Sequence, residues 1–211
     1  MSFDDVSFYL GVIGTLAFAV TGVMAVAERR VDFFSAIVLG VITAVGGGTI
    51  RDLILDVPIF WSLDLSYIRL AVLASIITFI ALPLFKRPAI FKGILYADAI
   101  GISLFGVSGA LKAYELGFAW PIGSLILGVI TAIGGGAIRD VLTGRKTLLM
   151  SDEVYAVPVL LGCLCLLIIL HFYPTMTTTA VISGACLALV LRTAAIAFEL
   201  RLPNWFTIQI K

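Results

Sequence analysis

One passage of this sequence occurs twice. Residues 40–52 read GVITAVGGGTIRD and residues 128–140 read GVITAIGGGAIRD, so eleven of thirteen positions are identical. Each copy ends a long apolar stretch and closes on an Arg-Asp pair. A repeat this widely spaced indicates a duplicated fold unit rather than a solenoid, whose periods run about 20–50 residues. The chain is therefore predicted to consist of two related halves.

Composition places these halves in a membrane. The chain is 61% hydrophobic and 13% charged, with a mean hydropathy of +1.15, whereas a soluble domain is roughly 45–50% apolar and 25% charged. Because about 20 apolar residues cross a bilayer, the pattern predicts seven spans joined by short loops, without a soluble domain. The acidic beginning of the chain lacks the charge of a signal peptide, so the first span is expected to be retained. The predicted spans are Phe8–Ala27, Phe33–Leu55, Tyr67–Phe85, Ile94–Leu111, Trp120–Leu142, Val154–Tyr173 and Thr177–Phe198.

The distribution of Lys and Arg predicts the orientation. Alternate loops collect ten of these residues and the opposite set collects three, and positive loops stay in the cytoplasm. The N-terminus is therefore expected outside and the C-terminus in the cytoplasm. The minimal loops suggest a bacterial or archaeal plasma membrane.

The same count predicts the architecture. Corresponding spans of the two halves are three crossings apart, an odd number, so one half must be inverted relative to the other. We expect an all-α integral membrane domain over residues 1–211, with a first three-helix repeat at 7–86, an inverted repeat at 94–173 and a seventh helix at 177–199. Transport sites of such proteins lie at the repeat interface. A duplicated bundle without a pathway is the alternative.

The glycine triplets predict interruptions of two helices. Each glycine forms a helix about 1 kcal/mol less favourably than Ala, so three in a row favour a break or tight bend. Backbone groups freed by a break must be buried in protein or line a watery cavity. The alternative is that the glycines permit close helix packing. The triplets are Gly46, Gly47 and Gly48 in the second span and Gly134, Gly135 and Gly136 in the fifth.

The Arg-Asp pairs predict two charged sites. Neighbours in a helix point about 100° apart, so Arg51 is not expected to pair with Asp52, nor Arg139 with Asp140. Pairing between spans or between halves is expected instead. The two sites should lie toward opposite membrane faces, as two gates on one path. Structural ion pairs that lock each bend are the alternative.

Polar residues on the first and fourth spans predict that one face of each of these helices lines the same path. Hydroxyls there and on the second and fifth spans can replace part of an ion's hydration shell. Two charges of the fourth span, Asp98 and Lys112, have no charged counterpart in the first half, which marks this span as the site of selectivity or gating. The hydroxyl candidates are Thr21, Thr43, Ser108 and Thr131.

Other candidate sites are weak. The three cysteines lack metal-site spacing and His171 is the one histidine, so no metal site, no cofactor and no enzymatic activity are expected. Nothing indicates nucleic-acid binding. Arg192 and Glu199 share a face near the end of the seventh span and are interpreted as a lipid-headgroup anchor or a subunit contact.

The doubled GGGxxRD motif, the three-helix units and the seventh helix resemble the prokaryotic trimeric intracellular cation (TRIC) channels. This resemblance implies a homotrimer whose subunits each hold a pore between inverted repeats, permeable to the monovalent cations potassium and sodium. It also implies kinked helices at both triplets, with Arg51, Asp52, Arg139 and Asp140 at or beside the pore. Membrane lipids are further expected partners.

Sequences of this kind also resemble a glycine-transporter domain, so a carrier of glycine or a similar small amino acid is the alternative. In a carrier, the positive end of a half-helix and an arginine would bind the substrate carboxylate. Arginines without acidic partners would favour that substrate. Arginines paired with acids would favour cation passage.

Overall fold

The computed structural model describes residues 3–27, 29–151 and 153–201, with side chains from residue 8 onward. Within this part of the chain the fold comprises eight α-helices and two single-turn 3-10 helices, Leu82–Leu84 and Leu148–Met150. The α-helices are α1 (Phe3–Met24), α2 (Phe33–Ile54), α3 (Phe60–Leu63), α4 (Ser66–Ala81), α5 (Arg87–Glu115), α6 (Ile122–Leu142), α7 (Ala156–Phe172) and α8 (Thr177–Ala197).

The helices are those of an all-α membrane protein, as predicted. Five are long and apolar enough to cross a bilayer, namely α2, α4 with the turn after it, α5, α6 and α8. Shorter apolar segments lie at Phe8–Met24 and Ala156–Phe172, and the count of seven spans stays a prediction. Helix α5 begins at Arg87 rather than at Ile94, because Pro88 fits a first helical turn, where its missing N–H is not needed.

The two halves are assembled in the same way. Helix α1 packs on α2 and α4, and α5 packs on α6 and α7. Contacts of α1 with α5 and of α2 with α6 join the halves. Helix α8 packs on α5 and α7 and therefore supports the second half.

Reciprocal contacts bring α2 and α6 together at the triplets. A methyl group on Gly47 would overlap the carbonyl oxygen of Thr131, and one on Gly135 would overlap the carbonyl oxygen of Thr43. The α-helices run through both triplets without interruption, so a break of either helix is wrong, while a bend or kink at the triplets stays a prediction. Close packing, the alternative, accounts for these glycines, because small residues let helix backbones approach.

The remaining triplet glycines face different neighbours. A methyl on Gly46 would stand 2.9 Å from Ile138 Cδ1, and one on Gly134 would stand 3.1 Å from Gly47 Cα. Gly48 faces the ring of Phe60, while Gly136 faces Asp98. The triplets thus let α2 and α6 cross closely, and they also leave space beside the crossing for the side chains of Phe60 and Asp98.

A second reciprocal contact joins α1 to α5. The rings of Phe18 and Phe105 stack with centroids 5.6 Å apart and planes at 5°. Phe105 also packs over Gly14 of α1, and Phe18 packs over Gly101 of α5. Both rings are buried in the hydrophobic core, so this core contains an aromatic pair taken from both halves.

Candidate functional site

The end of α2 carries a cluster that we call the first charged site, composed of Arg51, Asp52 and Lys112. Arg51 Nε and Lys112 Nζ each lie 2.7 Å from Asp52 Oδ1. The other oxygen, Asp52 Oδ2, accepts a hydrogen bond of 2.8 Å from the backbone N–H of Phe60, where α3 begins. The guanidinium of Arg51 stands 5.5 Å from the centre of the Phe60 ring. Two cations therefore share one buried carboxylate.

The end of α6 carries the second charged site, composed of Arg139, Asp140, Asp98 and Tyr155. Arg139 Nε lies 2.8 Å from Asp140 Oδ1, and its Nη1 lies 2.9 Å from Asp98 Oδ1. The Tyr155 hydroxyl donates to Asp98 Oδ2 at 2.9 Å. Asp140 Oδ2 accepts from the backbone N–H of Leu148 at 3.2 Å, as Asp52 does from Phe60. Here two carboxylates surround one guanidinium.

Each Arg-Asp pair forms its own ion pair, so the prediction that they would not is wrong. The argument from Cβ directions neglected the length of arginine, whose side chain turns sideways along the helix to reach the neighbouring carboxylate. Pairing between spans exists through other residues. Lys112 joins Asp52 across the two halves, and Arg139 joins Asp98 across α6 and α5.

The two sites differ because α1 and α5 supply different residues. Where the second half has Asp98 beside Tyr155, the first half has Gly11 beside Tyr67, with a methyl on Gly11 reaching to 3.0 Å of the Tyr67 hydroxyl. The position of Lys112 is held by Ala25 in the first half. The first site therefore holds two basic residues and one acidic residue, and the second holds one basic residue and two acidic residues.

A cavity of about 380 Å³ opens beside the first charged site. Its walls include Arg51, Lys112, Tyr67, Ser108 and Phe105. The second charged site is shut, because Asp98 is 0% and Arg139 is 1% exposed. Since Asp98 lies two turns beyond Phe105 on α5, about 10 Å at 1.5 Å per residue, the aromatic pair stands between the cavity and the second site.

The predicted hydroxyl ligands are engaged within their own helices. Thr21, Thr43 and Thr131 are fully buried and donate to backbone carbonyls of Phe18, Leu39 and Leu127 at 2.9, 2.7 and 2.6 Å. Thr43 packs against Gly22, and Thr131 against Gly109. Ser108 donates to Phe105 O at 3.2 Å and lines the cavity, which places it among the groups that an entering solute would meet.

Two residues, Tyr155 of the second half and Arg192 of α8, were missed as site residues. Tyr155 holds Asp98, and its alignment with Tyr67 in the repeat was a signal for it. Arg192 is completely buried against Tyr155 and Glu153, so its interpretation as a lipid-headgroup anchor or subunit contact is wrong. The signal was its charge within an apolar span, because such charges are costly unless they are used. No group of His, Cys, Asp and Glu within the described residues could hold a metal ion.

Comparison with known proteins agrees with a chain built from two related halves. The profile of the family described as "Glycine transporter" matches residues 8–83 and 95–171, one match in each half. The chain belongs to this family. The inner membrane protein YadS of Escherichia coli K12 is 36% identical over 205 residues, covering 94% of this chain and 95% of YadS. The membrane protein YvgT of Bacillus subtilis is 40% identical over 156 residues, covering 72% of this chain and 75% of YvgT.

Solved structures of family members have the same fold. A TRIC trimeric intracellular cation channel orthologue from Rhodobacter sphaeroides is 32% identical, with a TM-score of 0.86 over 92% of this chain and 99% of that chain. A prokaryotic TRIC channel crystallised in 0.5 M KCl is 29% identical, with a TM-score of 0.88 over 95% of this chain and 100% of that chain. The resemblance to TRIC channels stated from the sequence is therefore confirmed.

Proposed function

We propose that the protein is a channel for monovalent cations, potassium and sodium, with one pathway in each subunit between the two halves. The observation that carries this proposal is that both arginines of the repeated motif are paired with carboxylates. Each guanidinium already has an acidic partner, so neither needs an anionic substrate to neutralise its charge. The solved relatives named as cation channels support the same conclusion.

The second charged site is the proposed cation-attracting point of this pathway. Asp98 and Asp140 together carry more negative charge than Arg139 neutralises, and both are buried. A charge in a low-dielectric setting acts more strongly than in water. Arg139 then serves as a fixed spacer that keeps the two carboxylates apart and oriented toward a passing ion.

The described conformation is a closed one in this proposal. The stacked rings of Phe18 and Phe105 form an apolar constriction below the cavity, and such constrictions stop ions by excluding water. Conduction would require α1 and α5 to separate at this pair. The small residues Gly14 and Gly101, which now lie under the rings, would give each ring space to move.

The assembly and the orientation are part of the same proposal. We infer a homotrimer, since the similar Rhodobacter sphaeroides protein is named trimeric, and an inner or plasma membrane location with the N-terminus outside. The first charged site would then face the exterior and the second the cytoplasm. Cross-linking in mild detergent should yield trimers. A membrane-impermeant thiol reagent added to intact cells should label a cysteine introduced at Asp64 and leave one at Lys92 unlabelled.

A glycine carrier is the second candidate, and the first charged site favours it. Arg51 and Lys112 share a single carboxylate beside a cavity large enough for glycine. That surplus positive charge could bind a substrate carboxylate, and Glu115 also lines this cavity, opposite in charge to a substrate ammonium group. The description of the family is consistent with this candidate.

Proteoliposomes distinguish the two candidates. Purified protein should release trapped potassium down its gradient in the presence of a proton carrier, and external glycine should leave the rate unchanged. Asp98→Asn should slow this flux, while Asp64→Asn, which removes a loop carboxylate bonded to Ser66, should not. Accumulation of labelled glycine without potassium release would overturn the channel in favour of the carrier.

A further inference from the structure

Arg192 is the one charged residue of α8, is completely buried, and belongs to neither charged site. Its Nη2 lies 2.9 Å from Glu153 Oε2, and its Nη1 donates to the backbone carbonyl of Val154 at 3.1 Å. Its guanidinium carbon stands 5.0 Å from the centre of the Tyr155 ring. Three consecutive residues before α7 are thus held by one side chain from α8.

The contact continues into the second charged site. The ring of Tyr155 lies against Arg192, and its hydroxyl donates to Asp98 Oδ2. Asp98 in turn pairs with Arg139, which pairs with Asp140. A continuous series of polar contacts therefore leads from the supporting helix to the carboxylates. In the part of the chain that the structure describes, the first half has no counterpart of α8, although Tyr67 repeats the position of Tyr155.

The chemistry of Arg192 suits a clamp. A cation over an aromatic face contributes more when it is shielded from water, and Arg192 is 0% exposed. Its planar guanidinium can hold a carboxylate and a carbonyl while it stacks on a ring, a combination that lysine cannot reproduce. The charge is neutralised by Glu153, whose side chain is 33% exposed.

We propose that Arg192 is a positioning residue that keeps the second charged site closed by holding Tyr155 against Asp98. This inference rests on the proposed channel function. When the clamp is weakened, Tyr155 is free to leave Asp98, and the carboxylate is free to turn away from its closed position toward the pathway. Loss of Arg192 should therefore favour the open state.

Single-channel recording tests the proposal by comparing the wild type with Arg192→Gln, Tyr155→Phe and the double variant. Each single variant should raise the ratio of open to closed time by about fivefold or more, the lower end of typical coupling between sites. The double variant should match the singles, because both act through one contact. Arg192→Lys should lie between wild type and Arg192→Gln. The control Thr193→Val, which alters a hydroxyl bonded within α8, should behave as wild type.

A simple structural role would give a different pattern. Arg192→Gln would then conduct as wild type, or its effect would multiply with that of Tyr155→Phe in the double variant, and either result overturns the proposal. If Arg192→Gln does not yield folded protein, Glu153→Gln decides, because it removes the charged partner at a partly exposed position. Glu153→Gln should shift opening in the same direction by a smaller factor, and unchanged gating would contradict the clamp.

Hydrogen exchange separates failure of this inference from failure of the channel proposal. Arg192→Gln should accelerate amide exchange at residues 153–158 and also at residues 95–101 of α5, whether or not the protein conducts. In the Tyr155→Phe background the α5 segment should show no further change. A silent wild type with this exchange pattern would refute the channel and retain the clamp. Acceleration that stops at α7 would refute the clamp alone.

Discussion

Substitution of Gly47 by Ala tests whether the repeated glycines are packing residues. The new methyl would meet the carbonyl oxygen of Thr131, part of a buried α6 backbone that cannot turn aside as a side chain does. Overpacking of this kind costs about 1–3 kcal/mol, and we expect the upper end of that range. The substitution also gains about 1 kcal/mol of helix propensity in a continuous helix. The net loss of stability should be about 2 kcal/mol.

Gly46→Ala is the matched control at the adjacent position. Its methyl would meet Ile138 Cδ1 at 2.9 Å, the far end of a flexible side chain, so the propensity gain should survive. Each kcal/mol shifts Tm by roughly 2–4 °C in a chain of about 200 residues. Gly47→Ala should therefore melt about 4–8 °C below wild type, and Gly46→Ala at or slightly above it.

Thermal unfolding in one detergent, followed by circular dichroism, measures both variants under the same conditions. Gly135→Ala should repeat the behaviour of Gly47→Ala, because its methyl would meet the carbonyl oxygen of Thr43 in the reciprocal contact. Equal melting of Gly46→Ala and Gly47→Ala would refute the reasoning. That result would mean that the α2 and α6 backbones do not approach closely at the triplets.

Three further predictions concern single charges. Asp98→Asn should lower the potassium-to-chloride permeability ratio, measured from reversal potentials, about tenfold or more. A unit charge about 8 Å from a passing ion contributes about 2 kcal/mol at an effective dielectric constant of about 20. An unchanged ratio would exclude Asp98 from the pathway. Lys112→Gln removes one of the two cations that pair with Asp52 and should increase potassium conductance. Arg69→Gln, on the exposed face of α4, should leave the conductance unchanged. If the two variants have equal conductance, the first charged site has no role in conduction. Hydrogen bonds from Ser35 lower the pKa of Asp32 below its ordinary value of 3.8, so its cap stabilises α2 above that value and loses this effect as the pH falls through the folded-state pKa. Asp32→Ala should accordingly lower Tm at pH 7 but match wild type in acid, and a pH-independent difference would argue against the cap.

The lengths of the apolar stretches were sufficient to predict most helices. Helix α8 was predicted at Thr177–Phe198 and runs over Thr177–Ala197, and α6 ends at Leu142 as expected. Asp98 and Lys112 were selected because the repeat lacks charged equivalents for them. The structure places each of them in one of the two charged sites. These predictions agree with the structure because the length of a span and the symmetry of the repeat can both be read from the linear sequence.

The errors arose where tertiary contacts override local preference. Glycine propensity predicted broken helices at Gly47 and Gly135, yet the contact between α2 and α6 that these residues permit is not encoded locally. The bond from Tyr155 to Asp98 joins residues 57 positions apart, and no spacing rule connects them. Arg192 was interpreted as a lipid-headgroup anchor or a subunit contact, because its partners lie before another helix and no sequence pattern connects them.

Reversal potentials in planar bilayers test the central claim most directly. Purified wild-type protein should show discrete current steps under a potassium chloride gradient, and their reversal potential should approach that of potassium. Glycine added to either side should leave the steps unchanged. A reversal potential near that of chloride, or a silent bilayer together with glycine uptake by liposomes of the same preparation, would contradict the account.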